Sequence, residues 1–450
     1  MPMTPSMSLG YIGSILAAVT AALALAAPAE AHTHDGLAHG VDRDKLVAKA
    51  MKVTEARRGI DVLKVSRCSP VRRKGRLDYL TWVCSWRAEG LWPGEIPYHC
   101  AGKARWKRKH GSWRVDECDS IIEYQAPLAA ESGPHPMFGY NELWTLRGPA
   151  AFDLLATTGS DVARVNLDWK TLEYAPGRYN WESFDEAHAQ LARRGIRVLW
   201  VLLDSPCWVQ PNPGRCESGE PQVRPSQAHY GALADVAVAT AQRYPDSVGI
   251  EVWNEPNYPR FWGGDWPQPD RYAEMLKTVA DALHARVPGM PVVSAGMSPH
   301  SDADREAIGY RNFLEALYER GALQKADAIG VHPYPGVGPN DGYVKSLRVQ
   351  FGTIQRLQAR FDDAATPLWV TEYGVSTMGS RQFSPEAQGQ ALAELYTTMR
   401  RIGNIPLVIV HNFVSDSRLA DREGGFGVLN ENLSPKPAYC AMRAVRGVPC

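Results

Sequence analysis

From residue 137 to the end of the chain, short unbroken apolar runs alternate with longer stretches whose apolar positions recur every three or four residues. The runs at 137–141, 162–167, 197–203, 248–253, 291–295, 328–331, 368–371 and 407–410 predict strands. The stretches at 149–158, 183–194, 227–244, 270–286, 310–320, 344–361, 385–402 and 437–445 predict helices. Runs such as VLWVLL and PLVIV do not alternate with polar residues, so these strands are expected to be buried on both faces, as in a parallel sheet. Eight strand–helix units in a row predict an α/β fold, a closed (β/α)8 TIM barrel rather than an open sheet. A doubly wound open sheet would carry a Gly-rich phosphate loop after its first strand, and Gly139-Tyr140-Asn141-Glu142 is not one.

The pattern differs ahead of the barrel. Alternating stretches at 61–67, 78–87, 98–107 and 112–118, broken by Lys74-Gly75, Pro93-Gly94 and His110-Gly111, predict antiparallel strands after a helix at 42–56. They make a small α+β accessory domain over 32–127, stapled by disulfides and joined by a linker at 128–136 to the barrel at 137–450. Its 19 Lys/Arg against 12 Asp/Glu leave it basic. That charge is either a surface for the cell wall or another anionic polymer, or simply a solvated sheet face. The aromatics Trp82, Trp86, Trp92, Trp106 and Trp113 are either a sugar-stacking strip or the core of this domain.

Over the whole chain, 49 basic residues balance 49 acidic ones, so no nucleic-acid partner is expected. Residues 9–27 are apolar and are followed by Ala29-Glu30-Ala31, the pattern of a signal peptide spanning 1–31, with an N-terminal membrane anchor as the alternative. No later stretch is apolar and long enough to span a bilayer, so the expectation is a secreted protein with no membrane association after cleavage. Eight cysteines suit an oxidising compartment. Proximity favours Cys207–Cys216 and Cys440–Cys450, while Cys68, Cys84, Cys100 and Cys118 allow three pairings. No Cys/His grouping has metal-ligand spacing, so no structural zinc is expected. The three histidines of HTHDGLAHG, from His32, read as a solvated tail or a metal-binding tip.

The candidate chemistry lies at two strand ends. GIEVWNEPN, from Gly249, is an apolar strand that stops at Asn254-Glu255-Pro256, because proline cannot continue a ladder. WVTEYG places Glu372 at the end of the seventh strand. At the C-terminal mouth of a barrel, strands four and seven face one another, so two carboxylates there can flank one substrate. A retaining glycosidase needs such a pair roughly 5–5.5 Å apart, one protonated and one ionised. Two such glutamates could otherwise be metal ligands or helix caps. Arg164 on the second strand could hold Glu372 ionised by its charge, and Tyr334 could donate to it; Arg164 could equally be a structural ion-pair partner. Desolvation beside Trp253 and repulsion from Glu372 would help Glu255 keep its proton.

Asn254-Glu255-Pro256 with Thr371-Glu372-Tyr373-Gly374 resembles the clan A glycoside hydrolases, closest to cellulase-like family 5 or xylosidase-like family 39. The resemblance covers about 137–445 and includes Arg164 and His332-Pro333-Tyr334. It implies that Glu255 is the acid/base, that Glu372 is the nucleophile, and that Asn254 binds the sugar 2-hydroxyl. His332 reads as a sugar ligand, an orienting group or a wall histidine. The substrate is then a carbohydrate, and no cofactor is called for. Trp169, Trp208, Trp262, Trp266 and Phe413 fall on strand-to-helix loops, where rings could stack on sugars. Trp262 and Trp266 in FWGGDWPQP are the strongest candidates, because the glycine pair gives them an open setting. His411-Asn412-Phe413 stands where many clan members have a tryptophan after strand eight.

The competing functions are a barrel that binds carbohydrate without cleaving it and a metal-dependent barrel hydrolase. The first would be favoured by loss of either glutamate. The second needs His/Asp clusters at strand ends, where only His332 and His411 fall.

Overall fold

The computed structural model describes residues 125–141, 148–212, 223–300, 307–419 and 421–450 in full, and the backbone of four strands between 62 and 119. The expected signal peptide, the helix at 42–56, the N-terminal histidines and Cys216 lie outside the described residues, as do the side chains of the N-terminal tryptophans. The chain divides into two units, residues 1–123 and 124–450.

In the first unit, β1 (Val62–Arg73), β2 (Arg76–Trp92), β3 (Ile96–Lys107) and β4 (His110–Asp119) form an antiparallel meander in sequence order. The register sets position 68 across from 84 and position 100 across from 118.

The second unit is the barrel. Its strands are β5 (Met137–Asn141), β6 (Val162–Asp168), β9 (Arg197–Leu203), β10 (Gly249–Val252), β11 (Val292–Ser294), β12 (Ile329–Val331), β13 (Leu368–Tyr373) and β14 (Leu407–Val410). A short hairpin of β7 (Glu173–Ala175) and β8 (Arg178–Tyr179) interrupts the second unit of the barrel. The barrel strands are parallel in the order β11-β10-β9-β6-β5-β14-β13-β12. Bridges at Val293–Ala328 and Met297–Val331 bring β11 to β12. Eight expected strands are therefore present, with ends shifted by a residue or two. Every residue of β10, β11, β12, β13 and β14 is buried, as the unbroken apolar runs required.

The outer helices start where the sequence fixes their first turn. Pro149, Pro269, Pro385 and Pro437 occupy first helical positions, where a missing N–H costs nothing. Ser384 caps the helix Pro385–Ile402 by accepting from Ala387 N at 3.1 Å. The stretch around the expected linker is docked on the barrel: Ala126 N donates to Arg348 O (2.8 Å) and Ala129 N to Arg401 O (2.8 Å). The expected Cys440–Cys450 disulfide is formed, and Cys207 is disulfide-bonded. No helix among the described residues is long and apolar enough to cross a membrane.

Candidate active site

Three strand ends place the two glutamates. After β10 the backbone turns sharply, with φ of 76° at Trp253 and 40° at Glu255. A side chain at positive φ is strained, and such strain persists only where surrounding contacts enforce it. Those contacts are present. Trp253 N donates to Leu202 O and Glu255 N to Gly296 O. The buried Trp253 indole donates to Phe261 O (2.7 Å). Asn257 clamps the turn to the loop after β11 through Ser298 and Ile308.

Glu372 owes its placement to an irregularity in β13. Its pairing with β14 slips between Val370 and Tyr373. In a regular strand neighbouring side chains point to opposite faces. The slip lets consecutive Thr371 and Glu372 both join the cluster at the centre of the barrel.

Around Glu372 the donors are specific. Oε1 accepts from Arg164 Nη1 (2.6 Å) and Asn141 Nδ2 (3.1 Å), and Oε2 accepts from the Tyr334 hydroxyl (2.6 Å). His332 and His411 stand 3.7 and 3.9 Å from Oε2. Burial alone would push this carboxyl up, but His332, Arg164, His411 and the Tyr334 hydrogen bond outweigh it and bring it down to about 2. Burial, then Glu372 and other nearby carboxylates, push the Tyr334 hydroxyl well above its usual value, so it stays a donor. Glu372 is thus held as a carboxylate.

Glu255 has the opposite kind of partner. Its Oε1 lies 3.0 Å from His332 Nδ1. The tautomer follows from the far side of the ring. The Thr371 hydroxyl donates to Glu251 Oε1 (2.9 Å), so it can only accept from His332 Nε2 (3.1 Å). Nε2 therefore carries a proton. The hydrogen bond at Nδ1 then needs a second one, supplied by a protonated Glu255 or by an imidazolium. Either way one proton lies in the hydrogen bond between Glu255 Oε1 and His332 Nδ1. One oxygen of Glu255, one of Glu372 and a His332 nitrogen all lie within 4.8 Å of one another.

Arg164 is 1 % exposed and serves three partners: Glu251 Oε2 (2.7 Å), Glu372 Oε1 and Asn254 Oδ1 (2.9 Å). Burial works against its charge, but Glu251 and Glu372 overcome that and hold the guanidinium above its ordinary value. The structural and electrostatic roles expected for it coexist. With Asn254 Oδ1 taken by Arg164, its Nδ2 is the end left to donate.

Glu255, Glu372, Arg164, Asn254, His332 and Tyr334 come together as expected. Trp262 does not. It is fully buried, with Arg224 5.1 Å over its ring and Tyr272 edge-on at 6.4 Å. Gly263 and Gly264, both at positive φ, reverse the chain and turn the indole inward, so the glycine pair buries this ring rather than freeing it. Trp169 and Phe413 are buried as well, whereas Trp266 is 53 % exposed.

Several contributors were not singled out. Asn141 ends β5 and donates to both Glu372 and His411 Nδ1 (3.1 Å). His411 Nε2 in turn lies 3.4 Å from Glu423. Glu251 anchors Arg164, Thr371 and Gly296 N (3.1 Å). Its signal was available: a glutamate inside an apolar run buried on both faces must point into the barrel. Glu255, His332 and Glu372 are also the one group among the described residues able to ligate a metal ion. A divalent cation there would meet the Arg164 guanidinium, which already neutralises Glu372, so the charges suit a held carboxylate better than a metal centre.

The chain matches no protein-family model and no curated protein. Its backbone is similar to several solved structures. One is a family 39 glycoside hydrolase from the gut symbiont Bacteroides cellulosilyticus WH2 (TM-score 0.55, 19 % identity, covering 85 % of this chain and 79 % of that one). A glucosidase from Croceicoccus marinus gives a TM-score of 0.51 at 15 % identity, over 71 % and 69 % of the two chains. An exo-β-1,4-mannosidase from Opitutaceae bacterium strain TAV5 gives 0.50 at 16 %, over 73 % and 62 %. What the chain shares with them is the fold, a (β/α)8 barrel. The barrel expected from the apolar pattern is the fold found.

Proposed function

We propose that the protein is a secreted retaining glycoside hydrolase that cleaves β-glycosidic bonds of a poly- or oligosaccharide. One observation carries the reading. A carboxylate held ionised and a carboxyl that shares a proton lie with oxygens within 4.8 Å, close to the separation at which retaining enzymes work. In the first step Glu372 attacks the anomeric carbon, the glycosidic C–O bond breaks, and Glu255 gives its proton to the leaving oxygen. In the second, water attacks the same carbon, Glu255 takes a proton from it, and the bond to Glu372 is released. Two inversions give net retention. Asn254 donates through Nδ2 to the sugar 2-hydroxyl in this reading, which is supported by its Oδ1 being taken by Arg164, and Trp266 offers an exposed ring. Export is supported by the apolar run at 9–27 and its Ala29-Glu30-Ala31 site. The basic composition of 32–127 supports a cell-wall or other anionic-polymer contact for that region.

The test is hydrolysis of a panel of β-linked polysaccharides and aryl β-glycosides, with the first-formed anomer followed by NMR. Turnover with a retained anomer is expected. Saturable sugar binding without turnover of any β-linked substrate would favour a non-hydrolytic binding barrel, and an inverted product would overturn the double displacement.

A further inference from the structure

The loops that follow β13 and β14 line an open cavity of about 420 Å³. Its lining is as much apolar as polar, and the polar part includes the hydroxyls of Thr377, Ser415 and Ser417, the amides of Asn430 and Asn432, and the ammonium of Lys436. Lys436 is 7 % exposed. Its Nζ donates to Gly427 O at 2.7 Å and, at 3.2 Å each, to Gly425 O, Thr377 Oγ1 and Ser415 Oγ. All four acceptors are neutral. An ammonium has three protons, so the three longer contacts share two of them.

No carboxylate pairs with Lys436 among the described residues, and burial depresses its amine to about 8. Lysines are almost never this buried without an ionic partner, because a lone charge out of water is costly. The other charged residue lining the cavity is Glu431, whose carboxylate accepts from the Ser417 hydroxyl. The Ser415 hydroxyl accepts from Lys436 and has no acceptor for its own proton among the described residues. The site therefore offers the positive charge of Lys436, whose own protons are all engaged, and one free donor, the Ser415 hydroxyl, in a space large enough for a sugar residue. A single loop separates it from the catalytic residues: between Gly425 and Gly427, the Phe426 ring packs 5.6 Å from Tyr334 and 5.0 Å from His411.

We propose that this cavity is a subsite for an acidic sugar residue, its oxyanion held by Lys436 and Ser415. A uronate carboxylate and a sulfate ester share the chemistry that the site recognises. The anion site stands on its own geometry; naming its ligand a sugar rests on the hydrolase reading.

The experiment is calorimetric titration of the full chain, near neutral pH, with D-glucuronate, D-glucose 6-sulfate and the neutral methyl ester of glucuronate. One or both anions should bind at least roughly tenfold more tightly than the ester, and the anion that does so identifies the source. Lys436→Met should weaken that binding roughly tenfold or more, as the loss of the positive charge beside a partly buried anion does. Raising the pH past the Lys436 value of about 8 should weaken it too. Should Lys436→Met fail to fold, Ser415→Ala, expected to lose several-fold, and the pH series decide the matter. Glu372→Gln should bind the anion as the parent does. An anion lodged in the catalytic cleft would bind that variant more tightly, since a negative charge has gone, and would ignore Lys436. Equal binding of acid and ester, no saturable binding, or an unchanged Lys436→Met overturns the proposal. Absence of glycosidase activity with anion binding intact overturns the hydrolase reading instead.

Discussion

Gly296 lies directly beneath His332: a methyl group on it would stand 2.1 Å from the ring carbon Cδ2 and 2.2 Å from Nε2. The ring has nowhere to go, because Glu255 holds one nitrogen and Thr371 the other. Gly296→Ala is therefore expected to displace His332 and lower kcat by roughly a hundredfold, the usual effect of misplacing a reacting group by about an ångström. The accompanying loss of stability should be about 1–3 kcal/mol. Kinetics and thermal unfolding together check this; a wild-type kcat would show that His332 does not position Glu255.

Glu372→Gln should keep the fold and lose activity by about 10⁴-fold or more, as removal of a catalytic nucleophile does. In Glu372→Ala, azide should restore part of the rate and give an inverted glycosyl azide, because a small anion fills the vacated place. Product analysis by NMR reads the stereochemistry. Wild-type turnover by Glu372→Gln would remove the nucleophile assignment.

The pH dependence has a defined sign. The folded-state value of Glu372, about 2, lies below its ordinary 4.5. Its ionised form therefore adds stability that is fully present above about 4.5 and is lost as the pH falls towards 2. The difference in melting temperature between the parent and Glu372→Gln should shrink through that window. Tyr334→Phe removes the 2.6 Å donor and should move the carboxyl upward by roughly one unit. Its kcat/KM profile should then fail at higher pH on the acid side than the parent's. An unmoved limb would mean that another group sets it.

The two loop tryptophans should part company. Trp266→Ala removes an exposed ring and should raise KM up to roughly tenfold, in keeping with the 0.5–1.5 kcal/mol of an aromatic stack, without changing the melting temperature. Trp262→Ala empties a buried position and should cost about 3–5 kcal/mol of stability. Denaturant unfolding beside Michaelis–Menten kinetics distinguishes them.

The barrel was readable because strands buried on both faces leave an unbroken apolar run, and few other arrangements do. Glu255 and Glu372 were readable because each ends such a run beside residues that stop or bend the strand. Asn141 and His411 were not. They lie 270 positions apart and meet only when β5 closes on β14. Trp262 misled for a local reason, since the same Gly263-Gly264 pair that suggests an open loop also permits the reversal that hides the ring. The slip in β13 that brings Thr371 and Glu372 to one side left no trace in the pattern, because both residues are buried whichever way the register runs.

Arg164 sits between two carboxylates, and in the proposed double displacement only one of them takes part in bond-making. When a sugar becomes esterified to Glu372, that side chain stops being a counter-ion. Glu251, 2.7 Å away on the other side, does not change, so the guanidinium never becomes a solitary charge sealed in the barrel floor. The floor thus passes from one net negative charge to none and back in each cycle. Glu251, which never touches the sugar, makes the halfway state of the cycle affordable to the fold.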